Sequence, residues 1–291
     1  GGMRGLGYTY GAPGLDDLVE RLLKPVILDA DAFALPRHLE AMRAAVRNVG
    51  RPGIAATALS AVDTALWDLK ARLLDVPLAV LFGAARDAVP IYGSGGFTSY
   101  DDERTLDQFR GWIEEFGCDA VKMKIGHEPA REVARVRRIR ERLPETALMI
   151  DANGAYGRKP ALRLAERVAE LGVTWFEEPV SGDDLAGLRM LRDRFPSRLE
   201  LAAGEYAYEP RDVARMVSAG AVDVIQIDAT RCCGFTGFLE AAVIAREHGV
   251  PVSAASFWPR ASNSRSRSLL RRLRAKTIRW HSRRARPSST R

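Results

Sequence analysis

From about residue 89 onward, short apolar runs alternate with amphipathic helical patterns. Seven such runs recur about once every 25 residues, which predicts βαβ units and a parallel sheet. They lie at Val89–Tyr92, Ala120–Ile125, Ala147–Ile150, Thr174–Phe176, Leu199–Ala202, Val222–Ile227 and Val250–Ser253. The number and spacing of the runs favour a (β/α) barrel. A doubly wound sheet is the alternative, but no glycine-rich phosphate turn follows a first strand to support it.

Helical patterns fill the gaps between these runs and most of the first 88 residues. The predicted helices cover residues 15–23, 37–47, 54–74, 130–143, 160–171, 184–195, 211–218 and 236–248. In the helix over 54–74, apolar side chains recur every three or four residues, so one face should be buried. Residues 1–14 are rich in glycine, which is typical of a strand remnant followed by a turn.

Composition excludes several classes of protein. Apolar residues make up 46% of the chain and charged residues 28%, as in a globular domain and unlike collagen or a disordered chain. No run approaches the roughly 18 apolar residues that a membrane span needs. The N-terminus lacks a signal-peptide core, and three cysteines do not make a disulfide framework. We therefore expect a cytoplasmic location.

The charge of the chain sets its last segment apart. Residues 260–291 contain 12 Lys or Arg and no Asp or Glu, whereas residues 1–259 contain 32 basic and 37 acidic residues. The tail could be a nucleic-acid-binding arm, a disordered segment, or a segment never selected as protein. Its single aromatic residue, Trp280, makes nucleic-acid binding the weakest of these.

The predicted organisation therefore has three parts: a partial α+β capping domain over 1–88, a (β/α) barrel over 89–255 and a basic tail over 256–291.

Five consecutive predicted strands end in charge, although strands buried on both faces of a barrel should be apolar. The polar residues there are Lys122, Lys124, Asp151, Asn153, Glu177, Glu178, Glu205 and Asp228. From Lys124 through Asp151, Glu177 and Glu205 to Asp228 the steps are 27, 26, 28 and 23 residues. One strand–helix unit per step predicts that these side chains converge at the mouth of the barrel. A strand edge, turn or helix cap could explain any one of them, but five buried charges by accident would cost several kcal/mol each.

The types of these residues indicate metal-assisted chemistry. Asp151, Glu177 and Glu205 offer three carboxylates with no His or Cys, which favours Mg²⁺ over Zn²⁺. Lys122 and Lys124 share one face because side chains alternate along a strand. A lysine beside a metal and a second cation has a lowered pKa and can act as a base near neutral pH. We expect proton removal from the carbon next to a carboxylate, giving an enediolate that the metal and the cations stabilise.

In order and spacing, these segments resemble the enolase superfamily. The resemblance is to the mandelate racemase/muconate lactonizing enzyme family, in its racemase and acid-sugar dehydratase branch. It covers roughly residues 5–253 and rests on Val121–Gly126, Ile150–Asn153, Trp175–Pro179, Ala203–Glu205 and Asp228–Gly237. The helix segment Ala61–Leu69 also resembles the helix that closes the capping domain of the family.

The resemblance implies a modified (β/α)7β barrel and a lyase or isomerase that depends on Mg²⁺. It implies Asp151, Glu177 and Glu205 as the metal ligands. Lys124 would be the base, Lys122 would neutralise the substrate carboxylate, and Asn153 would contact the substrate. Asp228 would orient a catalytic His on the next strand.

The chain departs from the family pattern near both of its ends. Ala255 stands where that His should be, and the expected eighth strand does not follow. A one-base frameshift near codon 254 would explain both the missing His and the basic tail. Because the eighth strand is missing, we expect the barrel to be incomplete. The front enters at what resembles the last strand of the cap, Gly5–Gly11, so we expect the lid to be absent.

Three hypotheses for the function stay open. The first is an enzyme that dehydrates, epimerises or racemises a sugar acid or 2-hydroxy acid, although two-base racemisation should fail without the His. The second is a catalytically dead, metal-binding remnant, and the third is a nucleic-acid binder. We expect a small-molecule carboxylate substrate and no membrane partner, and we rank nucleic acid last among the partners. A homo-oligomer is one option, because an unclosed barrel exposes two strand edges.

Overall fold

The structure is a computed structural model, and it describes residues 2–11, 13–127 and 131–255. The predictions for the basic tail over 256–291 fall outside the described residues. Gly1–Ser256 forms one compact unit. None of the helices in the described part combines the length and apolar character that crossing a bilayer requires. The cytoplasmic location and the homo-oligomer stay predictions.

Seven parallel strands form one curled sheet, ordered as they occur in the chain. They are β1 Tyr92–Gly95, β2 Ala120–Lys124, β3 Ala147–Asp151, β4 Val173–Glu177, β5 Glu200–Ala203, β6 Val224–Asp228 and β7 Val252–Ala255. The predicted α/β barrel architecture is therefore confirmed as a half-barrel surrounded by helices. Within the described residues, no pairing joins β1 to β7. Val252 of β7 is accordingly 38% exposed, whereas every residue of β6 is buried.

Twelve helical segments accompany the sheet in the described residues. They are α1 Leu15–Leu18, a π-helical turn Val19–Leu23, α2 Lys24–Ile27, α3 Leu35–Ala45, α4 Ile54–Leu73, α5 Leu78–Leu81, α6 Asp102–Phe116, α7 Glu132–Arg142, α8 Arg158–Ala169, α9 Leu185–Arg192, α10 Pro210–Ser218 and α11 Gly234–Glu247. Helix α6 is absent from the predicted helices, although its ends carry clear signals. Its N-cap Asp101 accepts a hydrogen bond from the Arg104 amide, and Gly117 ends it with a φ of 64°.

Apart from β2, the strands run further toward their carboxyl ends than the apolar runs alone predict. Asp151, Glu177 and Asp228 are the last residues of β3, β4 and β6. Their backbones continue the hydrogen-bonded ladder, so the ladder carries polar side chains to the mouth of the barrel. The first strand shifts most, because Val89 and Ile91 of the predicted run are exposed.

Residues 2–11 form no strand, contrary to the expectation for the start of the chain. This N-terminal segment lies against α4 instead. The Leu6 amide donates to Asp68 Oδ2 at 2.7 Å. A Cβ on Gly7 would lie only 1.8 Å from the Ala61 carbonyl oxygen, so glycine alone permits this approach. The segment is therefore held by contacts with helix α4 and, through the Thr9 hydroxyl, with the Thr230 carbonyl oxygen after β6, rather than by a neighbouring strand.

The apolar interior consists of two clusters. The larger one lies between the sheet and the helices that follow each strand. The smaller one joins the N-terminal helices to α4 through Leu23, Leu39, Met42 and Leu59, and Cys233 belongs to it as well. Because Cys233 comes from the loop after β6, the smaller cluster reaches the barrel. The predicted domain boundary at residue 88 stays a prediction.

Helix α4 also anchors the start of α11. Ser60 Oγ accepts a hydrogen bond from the Gly234 amide at 3.1 Å, and Asp63 Oδ2 accepts one from the Thr236 amide at 3.0 Å. The first amides of a helix have no partner within the helix, so these side chains supply one. Burial raises the pKa of Asp63 to about 6, against the lowering effect of the bonds from Thr236. The loop between β6 and α11 is thereby fixed to the N-terminal part of the chain.

Replacing the fully buried Ser60 by alanine should destabilise the protein, because the Gly234 amide loses its acceptor. We expect Ser60→Ala to lower the free energy of unfolding by about 1–3 kcal/mol. Ser197→Ala removes an exposed hydroxyl and serves as the control. Urea denaturation measures both variants, and equal midpoints would contradict the role assigned to Ser60.

Candidate metal centre

Three carboxylates meet at the carboxyl ends of β3, β4 and β5. Asp151 and Glu177 are register partners in neighbouring strands, and both are fully buried. Glu205 lies in the turn after β5, and its side chain is 15% exposed. One carboxylate oxygen of each lies within 4.8 Å of the others. The parallel register of β3 and β4, together with the turn after β5, therefore brings three carboxylates around one point.

Two lysines of β2 face these carboxylates. Lys122 Nζ donates to Glu177 Oε2 and lies 3.7 Å from Asp151 Oδ2, while Lys124 Nζ donates to Asp151 Oδ2. Burial lowers the pKa of both lysines. The charges of Glu177 and Asp151 outweigh this effect and raise the pKa of Lys122, while the charge and hydrogen bond of Asp151 raise the pKa of Lys124. The side chain of Lys122 is 3% exposed and that of Lys124 is 20% exposed. Lys124 is thus the lysine that solvent or a ligand can reach.

Donors from two strands fix the Glu177 carboxylate. Gln226 Nε2 of β6 donates to Glu177 Oε1 at 2.8 Å, and Trp175 Nε1 donates to Glu177 Oε2 at 3.2 Å. Tyr92 of β1 donates its hydroxyl to Gln226 Oε1 at 3.4 Å. Burial and the charge of Asp151 raise the pKa of Glu177, and Lys122 opposes them. Glu177 is the most firmly held member of the group.

Glu178 adds a buried carboxylate that the hydrogen bonds of the described residues leave partly unsatisfied. It is 1% exposed, its φ is 41°, and its Oε1 has no hydrogen-bond partner. Burial, followed by the charge of Asp151, raises the pKa of Glu178 to about 8. A buried polar atom without a partner calls for a ligand, an ion or a water molecule.

Asp228 and Arg231 complete the mouth of the barrel. Thr230 donates to Asp228 Oδ1 from both its amide and its hydroxyl, each at 2.7 Å. Arg231 Nε lies 3.4 Å from Asp228 Oδ2, and Arg231 Nη2 lies 3.5 Å from Glu205 Oε1. The register partner of Asp228 on β7 is Ala255, whose methyl group cannot exchange protons.

The donor set fits a hard divalent cation. Five carboxylates face three cations at this mouth: Asp151, Glu177, Glu178, Glu205 and Asp228 against Lys122, Lys124 and Arg231. If all are ionised, two negative charges remain uncompensated. The raised pKa values of Glu177 and Glu178 favour their protonated forms without an ion, and one divalent ion would favour the ionised forms and balance the charge. The three converging ligands are all carboxylate oxygens, as Mg²⁺ prefers.

The structure brings together most of the residues that the sequence analysis selected. Asn153 joins the group through its backbone, since its amide donates to Asp151 Oδ1 at 2.9 Å and the residue itself is exposed. Sequence reasoning missed Arg231 and Gln226. Gln226 could have been found, because it precedes Asp228 by two residues and so faces the same way along β6. Arg231 gave no comparable signal, because it lies in a turn rather than on a strand.

Comparison with protein-family models gives two matches. Residues 1–83 match the N-terminal domain of the mandelate racemase/muconate lactonizing enzyme family. Residues 104–267 match the enolase C-terminal domain-like model. Together the two matches span most of the chain.

Individual proteins agree with these matches. The chain is 34% identical over 259 residues to 3,6-anhydro-alpha-L-galactonate cycloisomerase of Streptomyces coelicolor, covering 86% of this chain and 70% of that one. A mandelate racemase/muconate lactonizing enzyme-like structure from Rubrobacter xylanophilus is 48% identical with a TM-score of 0.85, covering 88% and 71%. L-Talarate dehydratase of Polaromonas sp. JS666, complexed with Mg and L-glucarate, is 29% identical with a TM-score of 0.80, covering 87% and 72%. The chain spans 59 to 70% of the length of three such curated relatives.

Magnesium should stabilise the folded chain, because only the folded state brings the three carboxylates together. We expect a gain of about 2.7 kcal/mol when free Mg²⁺ exceeds its dissociation constant about a hundredfold. Thermal unfolding with and without MgCl₂ measures this gain. Asp151→Asn should abolish it, whereas Asp183→Asn, in an exposed loop, should leave it intact. An unchanged response in Asp151→Asn would contradict the proposed site.

Proposed function

The chain belongs to the mandelate racemase/muconate lactonizing enzyme family, and from this premise we propose that it removes a proton from the carbon next to a sugar-acid carboxylate. The observation that carries the proposal is the convergence of Asp151, Glu177 and Glu205 beside Lys122 and Lys124. Acids for a metal and lysines for proton transfer within one buried site suit this reaction class.

Asp151, Glu177 and Glu205 would hold Mg²⁺. When bound, the ion would supply positive charge that opposes the effect of Asp151 and so lowers the pKa of Lys124. The same charge would offset the negative charge that develops on the substrate. The buried Glu177 is already held by Gln226 and Trp175, so it needs little rearrangement to act as a ligand. Preorganised ligands of this kind keep the reorganisation on binding small.

Lys124 would act as the base. Its side chain is more exposed than that of Lys122, so it can meet a substrate at the mouth of the barrel. In its neutral form Lys124 would accept the proton from the carbon next to the carboxylate. The fixed charge of Lys122 would then face the enediolate that remains, and it would favour the negative charge on its oxygens.

We assign the substrate to the sugar acids because most of the curated relatives are named for such acids, although two are muconate cycloisomerases. The S. coelicolor relative is named for anhydrogalactonate, and the Polaromonas structure contains L-glucarate. Asn153, which is exposed at the mouth beside Asp151, would contact the hydroxyl groups of such a substrate.

The geometry around Asp228 favours one-base chemistry. Asp228 is paired with Arg231 and Thr230, and its register partner on β7 is Ala255. Arginine keeps its proton at any ordinary pH, so none of these partners can shuttle a proton at pH 7. Proton removal would therefore occur only on the Lys124 face, and racemisation would fail.

Exchange of the substrate proton with solvent tests the role of Lys124. Incubation with L-glucarate and MgCl₂ in D₂O should replace the proton next to a carboxylate with deuterium, as seen by ¹H NMR. Lys124→Ala should slow this exchange by about 10²–10⁴-fold, because the general base is removed. Lys159→Ala, on the exposed surface of α8, is the control and should not change the rate.

The same experiment separates the alternative of a metal-binding remnant without turnover. A chain that Mg²⁺ stabilises but that exchanges no proton would favour the remnant. Exchange that persists unchanged in Lys124→Ala would show that another group is the base.

A further inference from the structure

The guanidinium of Arg231 is clamped between two tyrosine rings. Its central carbon lies 4.6 Å from the ring centroid of Tyr10 and 4.6 Å from that of Tyr206. The side chain of Arg231 is only 14% exposed. A cation between two aromatic faces is favoured on both sides and loses most of its freedom. Two aromatic contacts and two ion pairs therefore restrict Arg231, although it lies in a turn.

Glu205 is the carboxylate that most needs such a partner. Asp151 and Glu177 end strands and take their positions from the register between those strands. Glu205 comes two residues after the end of β5, and Gly204 before it has a φ of 124°. Its direction is thus not set by a ladder of backbone hydrogen bonds.

Contacts of the side chains show the same contrast. Glu177 receives hydrogen bonds from Lys122, Gln226 and Trp175. Within the described part of the chain, Arg231 is the cation that forms an ion pair with Glu205, through Glu205 Oε1. Arg231 is therefore the side chain that can set the direction of the Glu205 carboxylate, across an N–O distance of 3.5 Å.

We propose that Arg231 is a positioning residue for magnesium, which holds Glu205 in the ligand set while Tyr10 and Tyr206 hold Arg231. This inference rests on the proposed function, since it assumes that Glu205 binds the ion. Arginine suits the task because it stays charged at all ordinary pH values and its planar group can face two carboxylates at once. Groups that orient a metal ligand change metal affinity when they are altered, even though they do not touch the ion.

The clamp makes the N-terminal segment, residues 2–11, part of the metal site. Tyr10 belongs to this segment, and its neighbour Thr9 donates its hydroxyl to the Thr230 carbonyl oxygen at 2.5 Å. Thr230 in turn donates to Asp228, and Arg231 follows it directly. A residue near the start of the sequence thus helps to position a ligand more than 190 residues later.

Titration of Mg²⁺ with calorimetry and thermal unfolding tests the proposal. Arg231→Met should weaken Mg²⁺ binding by about 10–100-fold, because Glu205 loses its partner. Arg231→Lys keeps the charge but not the planar stack, and Tyr10→Leu removes one face of the clamp, so both should fall between Arg231→Met and the unaltered chain. Arg246→Met, on the exposed end of α11, is the matched control and should bind Mg²⁺ normally.

The outcomes distinguish this proposal from the one it rests on. Unchanged Mg²⁺ affinity in Arg231→Met, with binding lost in Asp151→Asn, would overturn the role of Arg231 and leave the metal site standing. A lower melting temperature without Mg²⁺ but the same affinity would also overturn it, since that is a structural effect alone. If Arg231→Met does not fold, Arg231→Lys and Tyr10→Leu decide by the same criterion. No Mg²⁺ binding by the unaltered chain would overturn both proposals.

Discussion

The structure depends on holding like charges together in a buried place. Asp151 and Glu177 lie side by side because parallel strands in register bring their last residues to the same depth. Two carboxylates so placed repel each other and lose hydration, and both effects oppose folding. Lys122, Lys124 and the amide of Gln226 offset part of this cost. Burial of neighbouring carboxylates thus has an unfavourable free energy that the side chains of the half-barrel offset only in part.

The fold and most of the site could be predicted from the sequence because both follow from one repeat. Strands β2, β3, β4 and β6 each end in a charged residue, so the spacing that reveals the barrel also reveals Asp151, Glu177 and Asp228. What breaks the repeat was harder to predict. The N-terminal segment was expected to be a strand, but its glycines allow it to lie directly on α4, which no periodic pattern shows. Arg231 was missed for a similar reason, since its importance comes from contacts with distant residues.

The N-terminal helices contribute to the site through the loop after β6. Helix α4 supplies Ser60 and Asp63 to the first turn of α11, and Cys233 at the start of that helix has a φ of 69°. A left-handed conformation favours glycine, so a cysteine there is held by its surroundings. Asp228 and Arg231 lie just before this anchored turn. The positions of Asp228 and Arg231 at the mouth of the barrel thus depend on the contacts between α4 and the start of α11.

The clamp around Arg231 has a thermodynamic counterpart. Two binding events that assist each other must do so equally in both directions. If docking of Tyr10 strengthens the binding of the ion, then binding of the ion must strengthen the docking of residues 2–11 onto α4 by the same factor. The hydrogen bond from the Leu6 amide to Asp68 should then open less often when magnesium is present. Protection of the amides in the N-terminal segment from exchange with solvent would in this way report whether the metal site at the mouth of the barrel is occupied.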